Sequence, residues 1–159
     1  KGEKIMTDNQ VIIRLTFSLI LGGLIGLERQ LHRRAAGLRT HILVSIGSCL
    51  IMLTSIYISD IYKNVTTVDP SRIAAGVITG IGFLGAGAII REKEKEAVKG
   101  LTTAASLWVV AGIGLSTGCG FYIASFFTTV LALITLFFLG FFERNVLSKK
   151  MDNQEGGER

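Results

Sequence analysis

Charge is what the longest stretches of this sequence lack. Five apolar runs, residues 11–27, 42–58, 73–90, 101–115 and 121–142, contain a single charged side chain between them, Arg14. A helix rises about 1.5 Å per residue and the hydrocarbon core of a bilayer is about 30 Å thick, so these runs have the dimensions of membrane spans. The fourth is the shortest. In lipid every backbone polar group must be satisfied inside the protein, which leaves helices or a closed barrel, and continuous runs without period-two alternation exclude the barrel. An all-α, polytopic membrane protein of five transmembrane helices follows.

Other scarcities narrow the chemistry. There are two cysteines. Cys49 lies within the second run and Cys119 at the far end of the fourth, different membrane depths that argue against a disulfide and for small packing residues. The two histidines, His32 and His41, are nine residues apart, without metal-type spacing. No P-loop, dinucleotide fingerprint or nucleophile-and-base arrangement is present, so no enzyme is expected. The first run is too long, and too basic on its far side, for a cleaved signal peptide and reads as a permanent span.

The charges that do occur sum to +5 and sit between the runs. Four basic residues fall in the first connection (Arg29, Arg33, Arg34, Arg39), four in the third (Arg91, Lys93, Lys95, Lys99) and four after the last run (Arg144, Lys149, Lys150, Arg159). The second carries little beyond Lys63 and the fourth none. With no separate basic domain, nucleic acid is not an expected partner. Positive charge on the first and third connections predicts an N-terminus outside and a C-terminus inside. Residues 1–147 then form the membrane domain and 148–159 a short polar cytoplasmic tail.

Bilayer helices pack through small residues, so glycine marks candidate interfaces. Gly22 and Gly26 mark the first helix, Ser45 and Cys49 the second, Gly76 and Gly80 the third, Gly114 and Gly118 the fourth. The fifth, rich in phenylalanine, is expected at the lipid-facing edge and the third at the centre. Gly80, Gly82, Gly85 and Gly87 are dense enough for a broken helix lining a cavity, and close packing accounts for them equally. Asp69 followed by Pro70 is N-cap chemistry, and Asp69 with Arg72 is the candidate pair for the outer side.

A repeat is visible at a spacing of 63 residues: Gly37-Leu38-Arg39-Thr40 opens the second helix and Gly100-Leu101-Thr102-Thr103 the fourth. Two hairpins of like orientation, related by an axis along the membrane normal, are implied, with the fifth helix peripheral. Where the two helix starts meet on the cytoplasmic side, Thr40, Thr102, Thr103 and Ser106, with Arg29, Arg39 and Arg91 around them, could hold an anion such as phosphate. The alternative makes Thr40 and Thr102 plain N-caps, with Glu28 paired to Arg39 or Arg91. Glu28 ends a glycine-rich run and is the weak candidate for a cation, though Mg²⁺ asks for several oxygen ligands. Arg14 is expected to snorkel outward or meet an external acid. The run REKEKEAVK, 91–99, reads as a solvated hairpin loop.

LGGLIGLERQ (21–30), AGLRTH (36–41), DPSRIAAGVITGIGFLGAG (69–87) and VKGLTTAASLWV (98–109), in this order and spacing, closely resemble the membrane domain of the MgtC/SapB family over roughly residues 11–143. The resemblance implies a bacterial inner-membrane protein linked to growth at low magnesium, to virulence within phagocytes in some members, and to phosphate and ATP homeostasis through restraint of the ATP synthase. Members are often labelled magnesium transporters. Gly76 departs from the Gln common in the family, and a short polar tail stands where many members carry an ACT-like domain. Two classes of function remain. One is a regulatory protein that binds partner membrane proteins and forms a homo-oligomer, a dimer being favoured. The other is a small transporter or ion-binding protein, for Mg²⁺ or phosphate, with its site at the cytoplasmic ends of helices one to four.

Overall fold

The computed structural model describes residues 6–92 and 97–139. The polar tail 148–159, the end of the fifth run at 140–142, and Lys93 and Lys95 lie outside the described residues. Five α-helices and one short β-hairpin follow in chain order: α1 (Asp8–Leu31), α2 (Leu38–Tyr62), α3 (Pro70–Ala88), β1 (Ile90–Glu92), β2 (Ala97–Lys99), α4 (Leu101–Gly118) and α5 (Tyr122–Ile134). A π-helical turn, Thr135–Leu139, extends α5. The first four helices are long and apolar enough to cross a membrane, and α5 is a shorter apolar helix.

Local chemistry sets the helix starts. Thr7 and Gln10 form a reciprocal capping box at α1, each side chain accepting from the other's backbone N–H. Asp69 caps α3 by accepting from the Ser71 N–H at 2.8 Å, with Pro70 in the first turn. Those bonds from Ser71 hold the exposed Asp69 carboxyl below its ordinary pKa. Gly37 and Gly100, the repeated glycines, occupy the N-cap positions of α2 and α4. Gly100 has φ +95°, and a Cβ there would run into the Ala88 carbonyl, so both conformation and space require glycine. The charged segment 91–99, expected as a solvated loop, contributes Arg91, Glu92 and Ala97–Lys99 to the antiparallel ladder Ile90↔Lys99, Arg91↔Val98, Glu92↔Ala97.

Close backbone approach then organises the bundle. A Cβ on Gly22 would sit 2.5 Å from the Ser45 Cβ, and one on Gly26 would sit 2.9 Å from the Leu38 Cα, so α1 and α2 meet as an antiparallel pair. Gly114 lies against the Ser45 carbonyl and Gly118 against Met52 and Cys49. Positions on α2 and α4 thus rise together, and the two helices run parallel, as the repeat requires. Two apolar clusters form the core: Leu21, Ile25, Val110 and Ile113, and Ala36, Ile81, Leu107 and Ala111. Both include α4. In a bilayer the apolar neighbours of a helix are as oily as its partners, so what holds these surfaces together is tight van der Waals packing and buried hydrogen bonds.

Helix α4, the weakest apolar run, is therefore the centre of the bundle, touching every other helix. Its Thr103, Ser106, Gly114, Thr117 and Gly118 are all buried against protein, which explains its modest apolarity. Helix α3, expected at the centre, lies at the edge: only Ile81 and Gly85 on it are buried. It is unbroken from Pro70 to Ala88, and its glycines line no break. A Cβ at Gly76, Gly80, Gly82 or Gly87 would meet nothing within 4 Å, whereas one at Gly85 would lie 3.6 Å from the Ala104 Cβ. Arg14 finds a backbone partner. Its guanidinium donates to the Gly118 carbonyl at 2.7 Å, placing a cation on the C-terminal end of α4.

Candidate functional site

Polar side chains inside an apolar bundle mark function or specific packing. They gather first where α1 ends and α2 begins. Glu28 and Arg29 are both buried, and the carboxylate accepts from Arg29 at 2.6 and 3.0 Å. His32 Nδ1 lies 3.1 Å from the same carboxylate and 2.9 Å from the Glu28 carbonyl. Both Glu28 oxygens are thus engaged by cationic or N–H donors. Arg39, one expected partner of Glu28, is exposed on the first turn of α2, and Glu28 pairs with Arg29 beside it instead. The side chain of Arg91, the other, lies outside the described residues.

One turn into α2, His41 is fully buried. Its Nδ1–H faces the Gly37 carbonyl at 2.9 Å and its Nε2 the Ser106 hydroxyl at 3.1 Å. Ser106 Oγ is also 2.8 Å from the Thr103 carbonyl. A neutral imidazole donating to Gly37 must accept at Nε2, so the single Ser106 proton has two acceptors to choose between. Deeper still, the Ser45 hydroxyl donates to the Ser18 carbonyl at 2.8 Å, with the two hydroxyls also 2.8 Å apart. Toward the opposite end, the Thr117 hydroxyl reaches Ser125 at 3.0 Å and ties α4 to α5.

The structure unites some sequence candidates and separates others. Thr103 and Ser106 are both buried, and Ser106 meets His41, a residue whose spacing had argued only against a metal. Its signal in the sequence was a lone polar ring at the edge of an apolar run. Arg39 and Thr40 are exposed and line a cleft of about 780 Å³ between α2 and α3. Thr102 lines a different cavity of about 330 Å³, walled by α1, α4 and α5. Among the described residues, then, Arg39 and Thr40 line one cavity and Thr102 and Ser106 another. Asp69 and Arg72 are both exposed at the start of α3, and Asp69 is occupied as its N-cap.

For Mg²⁺ the residues present fit poorly. The ion takes oxygen ligands in near-octahedral geometry, while Glu28 is committed to Arg29 and His32. Among the described residues no group of three or more His, Cys, Asp or Glu side chains is placed to hold a metal.

A bundle of apolar helices joined by glycine contacts and buried hydroxyls defines a multi-pass membrane protein. Residues 15–145 match the model of the MgtC family, and the chain belongs to that family. It is 45% identical over 129 residues to the putative magnesium transporter YhiD of Escherichia coli K12, covering 80% of this chain and 59% of that protein. It is 35% identical over 150 residues to protein SapB of Bacillus subtilis, covering 93% and 64%. To protein MgtC of Salmonella typhimurium it is 45% identical over 123 residues, covering 77% and 49%. The chain therefore spans about half to two-thirds of the length of these relatives. No solved structure matches it.

Proposed function

We propose that this magnesium-related membrane protein acts by binding partner membrane proteins, and that the lipid-facing side of α3 is the surface it uses. The observation that carries the reading is a row of small residues, Ala75, Thr79, Gly82 and Ala86, spaced by four, three and four and all exposed. Helices associate in lipid where small side chains let backbones approach, and here no other part of the described chain takes that place. The buried polar groups support the same reading, because Glu28, Arg29, His41 and Ser106 spend their hydrogen bonds on one another and on the backbone. Adaptation to low magnesium, phosphate and ATP homeostasis through the ATP synthase, a homodimer and residence in the bacterial inner membrane belong to this proposal. The name that YhiD carries, a magnesium transporter, keeps Mg²⁺ transport as the competing reading.

Two measurements separate them. In a bacterium lacking its own family member, the chain is expected to restore growth in limiting Mg²⁺, and Gly82→Leu to abolish the rescue at unchanged membrane abundance. In proteoliposomes loaded with a Mg²⁺-sensitive dye, the chain is expected to admit no more Mg²⁺ than empty vesicles. Saturable Mg²⁺ entry would replace the partner reading with transport.

A further inference from the structure

The cleft between α2 and α3 lies on the other side of α3 from that row, and its shape is uneven along the membrane normal. At one end the two helices are pinned together: the Ser55 hydroxyl donates to the Pro70 carbonyl, and Ser59 to the Val68 carbonyl at 3.0 Å. Toward the other end they enclose about 780 Å³. The walls are Leu43, Gly47 and Ile51 on α2 and Gly76, Gly80 and Leu84 on α3. From Thr40 to Ile51, and equally from Ile73 to Leu84, the run is eleven steps, about 16 Å. That is half of the roughly 30 Å hydrocarbon core, the depth of one leaflet.

The open end of the cleft is polar. Arg39 and Thr40 line both the apolar cleft and an adjoining polar pocket of about 300 Å³ that Gln30 and Gly37 complete. Arg39 is the second residue of a 25-residue helix, about 37 Å long, and so stands at headgroup level. A cationic, hydroxyl-bearing pocket that continues into a one-leaflet apolar cleft is complementary to an amphiphile with an anionic head. A partner helix would need room for about 20 residues across the whole bilayer. This cleft offers those eleven steps on each helix.

We propose that the α2–α3 cleft seats an anionic phospholipid, its phosphate against Arg39 and Thr40 and its acyl chains along Gly47, Gly76 and Gly80. The glycines give the cleft its depth. A Cβ at any of the three meets nothing within 4 Å, so larger side chains there fill the cleft without displacing protein.

The test uses the purified chain in mild detergent with equal amounts of phosphatidylglycerol and phosphatidylethanolamine bearing the same acyl chains, the retained lipid being read by native mass spectrometry. Phosphatidylglycerol should be preferred about fivefold, what one arginine contributes against an anionic surface. Arg39→Gln should bring that preference to about unity. Gly80→Leu should remove both lipids at an unchanged unfolding temperature, while Gly82→Leu on the opposite face retains them. Should Gly80→Leu fail to fold, Gly76→Leu fills the same cleft, and the exposed Arg39→Gln decides the headgroup independently.

Four outcomes would overturn the proposal. The first is an unchanged preference in Arg39→Gln. Lipid retained in the folded, filled variant is the second. Displacement of the lipid by excess inorganic phosphate would make the pocket an anion site with no use for a tail. Conversion of a dimer to a monomer by Gly80→Leu, with lipid still bound, would give the cleft to a second copy.

Discussion

His41 shows how much one residue can hold in a bundle of this kind. Its ring joins the start of α2 to α4, and truncation removes both ring bonds and leaves a cavity, with the Gly37 carbonyl keeping the His41 N–H and the Ser106 hydroxyl keeping the Thr103 carbonyl. His41→Ala is expected to cost about 2–4 kcal/mol and Ser106→Ala about 1 kcal/mol, read from unfolding midpoints in detergent. Asp69 makes a pH-dependent prediction. Its folded pKa is depressed, so its stabilisation is present above the ordinary carboxylate range and lost as pH falls through the lowered value. Asp69→Ala should therefore lower the unfolding temperature at pH 7 and make progressively less difference in acid, while Asp69→Asn, which keeps an acceptor for Ser71, stays near the parent. The Asp69 cap was legible from three adjacent letters. The His41 contact was not, because its partner is 65 residues away and no local pattern encodes which turn of α4 faces α2.

At the scale of elements, the apolar runs located all four long helices, because a stretch of membrane length without charge has few other uses. They could not rank them. The fourth run is the shortest, yet α4, enclosed by protein and free to carry Thr, Ser and Gly, is central, whereas α3 of equal hydropathy lies at the edge. Glycine density misled in the opposite direction at α3. A glycine permits close approach without saying whose backbone approaches, and a Cβ at 76, 80, 82 or 87 would meet nothing within 4 Å. The contrast is measurable within one helix. Gly114→Ala would drive a methyl into the Ser45 carbonyl and the Ser48 Cβ and is expected to cost about 3 kcal/mol or more. Gly112→Ala, two residues away with open space before it, should stabilise by about 0.5–1 kcal/mol through helix propensity alone. Unfolding of the pair side by side checks both.

For the whole molecule, the repeat of Gly-Leu-x-Thr correctly anticipated parallel α2 and α4, since the same N-cap glycine begins both. It did not anticipate that the candidate site would divide. Once α2 and α4 pack side by side, Arg39 and Thr40 line the cleft toward α3 while Thr102 lines the cavity toward α5, and Ser106 meets α2 at His41. The orientation expected from the basic connections is tested in intact cells: a cysteine placed at Arg34 should resist a membrane-impermeant maleimide, and one placed at Asn64 should react. Reversal of that pattern would invert the topology.

The central position of α4 also bears on how the protein is made. The chain emerges with α1 and α2, the more apolar of its four long helices, ahead of α3 and α4. A translocon that weighs each segment by its affinity for lipid commits the first pair readily and meets the second with little margin. What α4 lacks in oil it finds in Ser45, Ser48 and Met52 of a helix already in place. Membrane insertion of α4 is thus a cooperative act, and the order of synthesis supplies its receptor before its need.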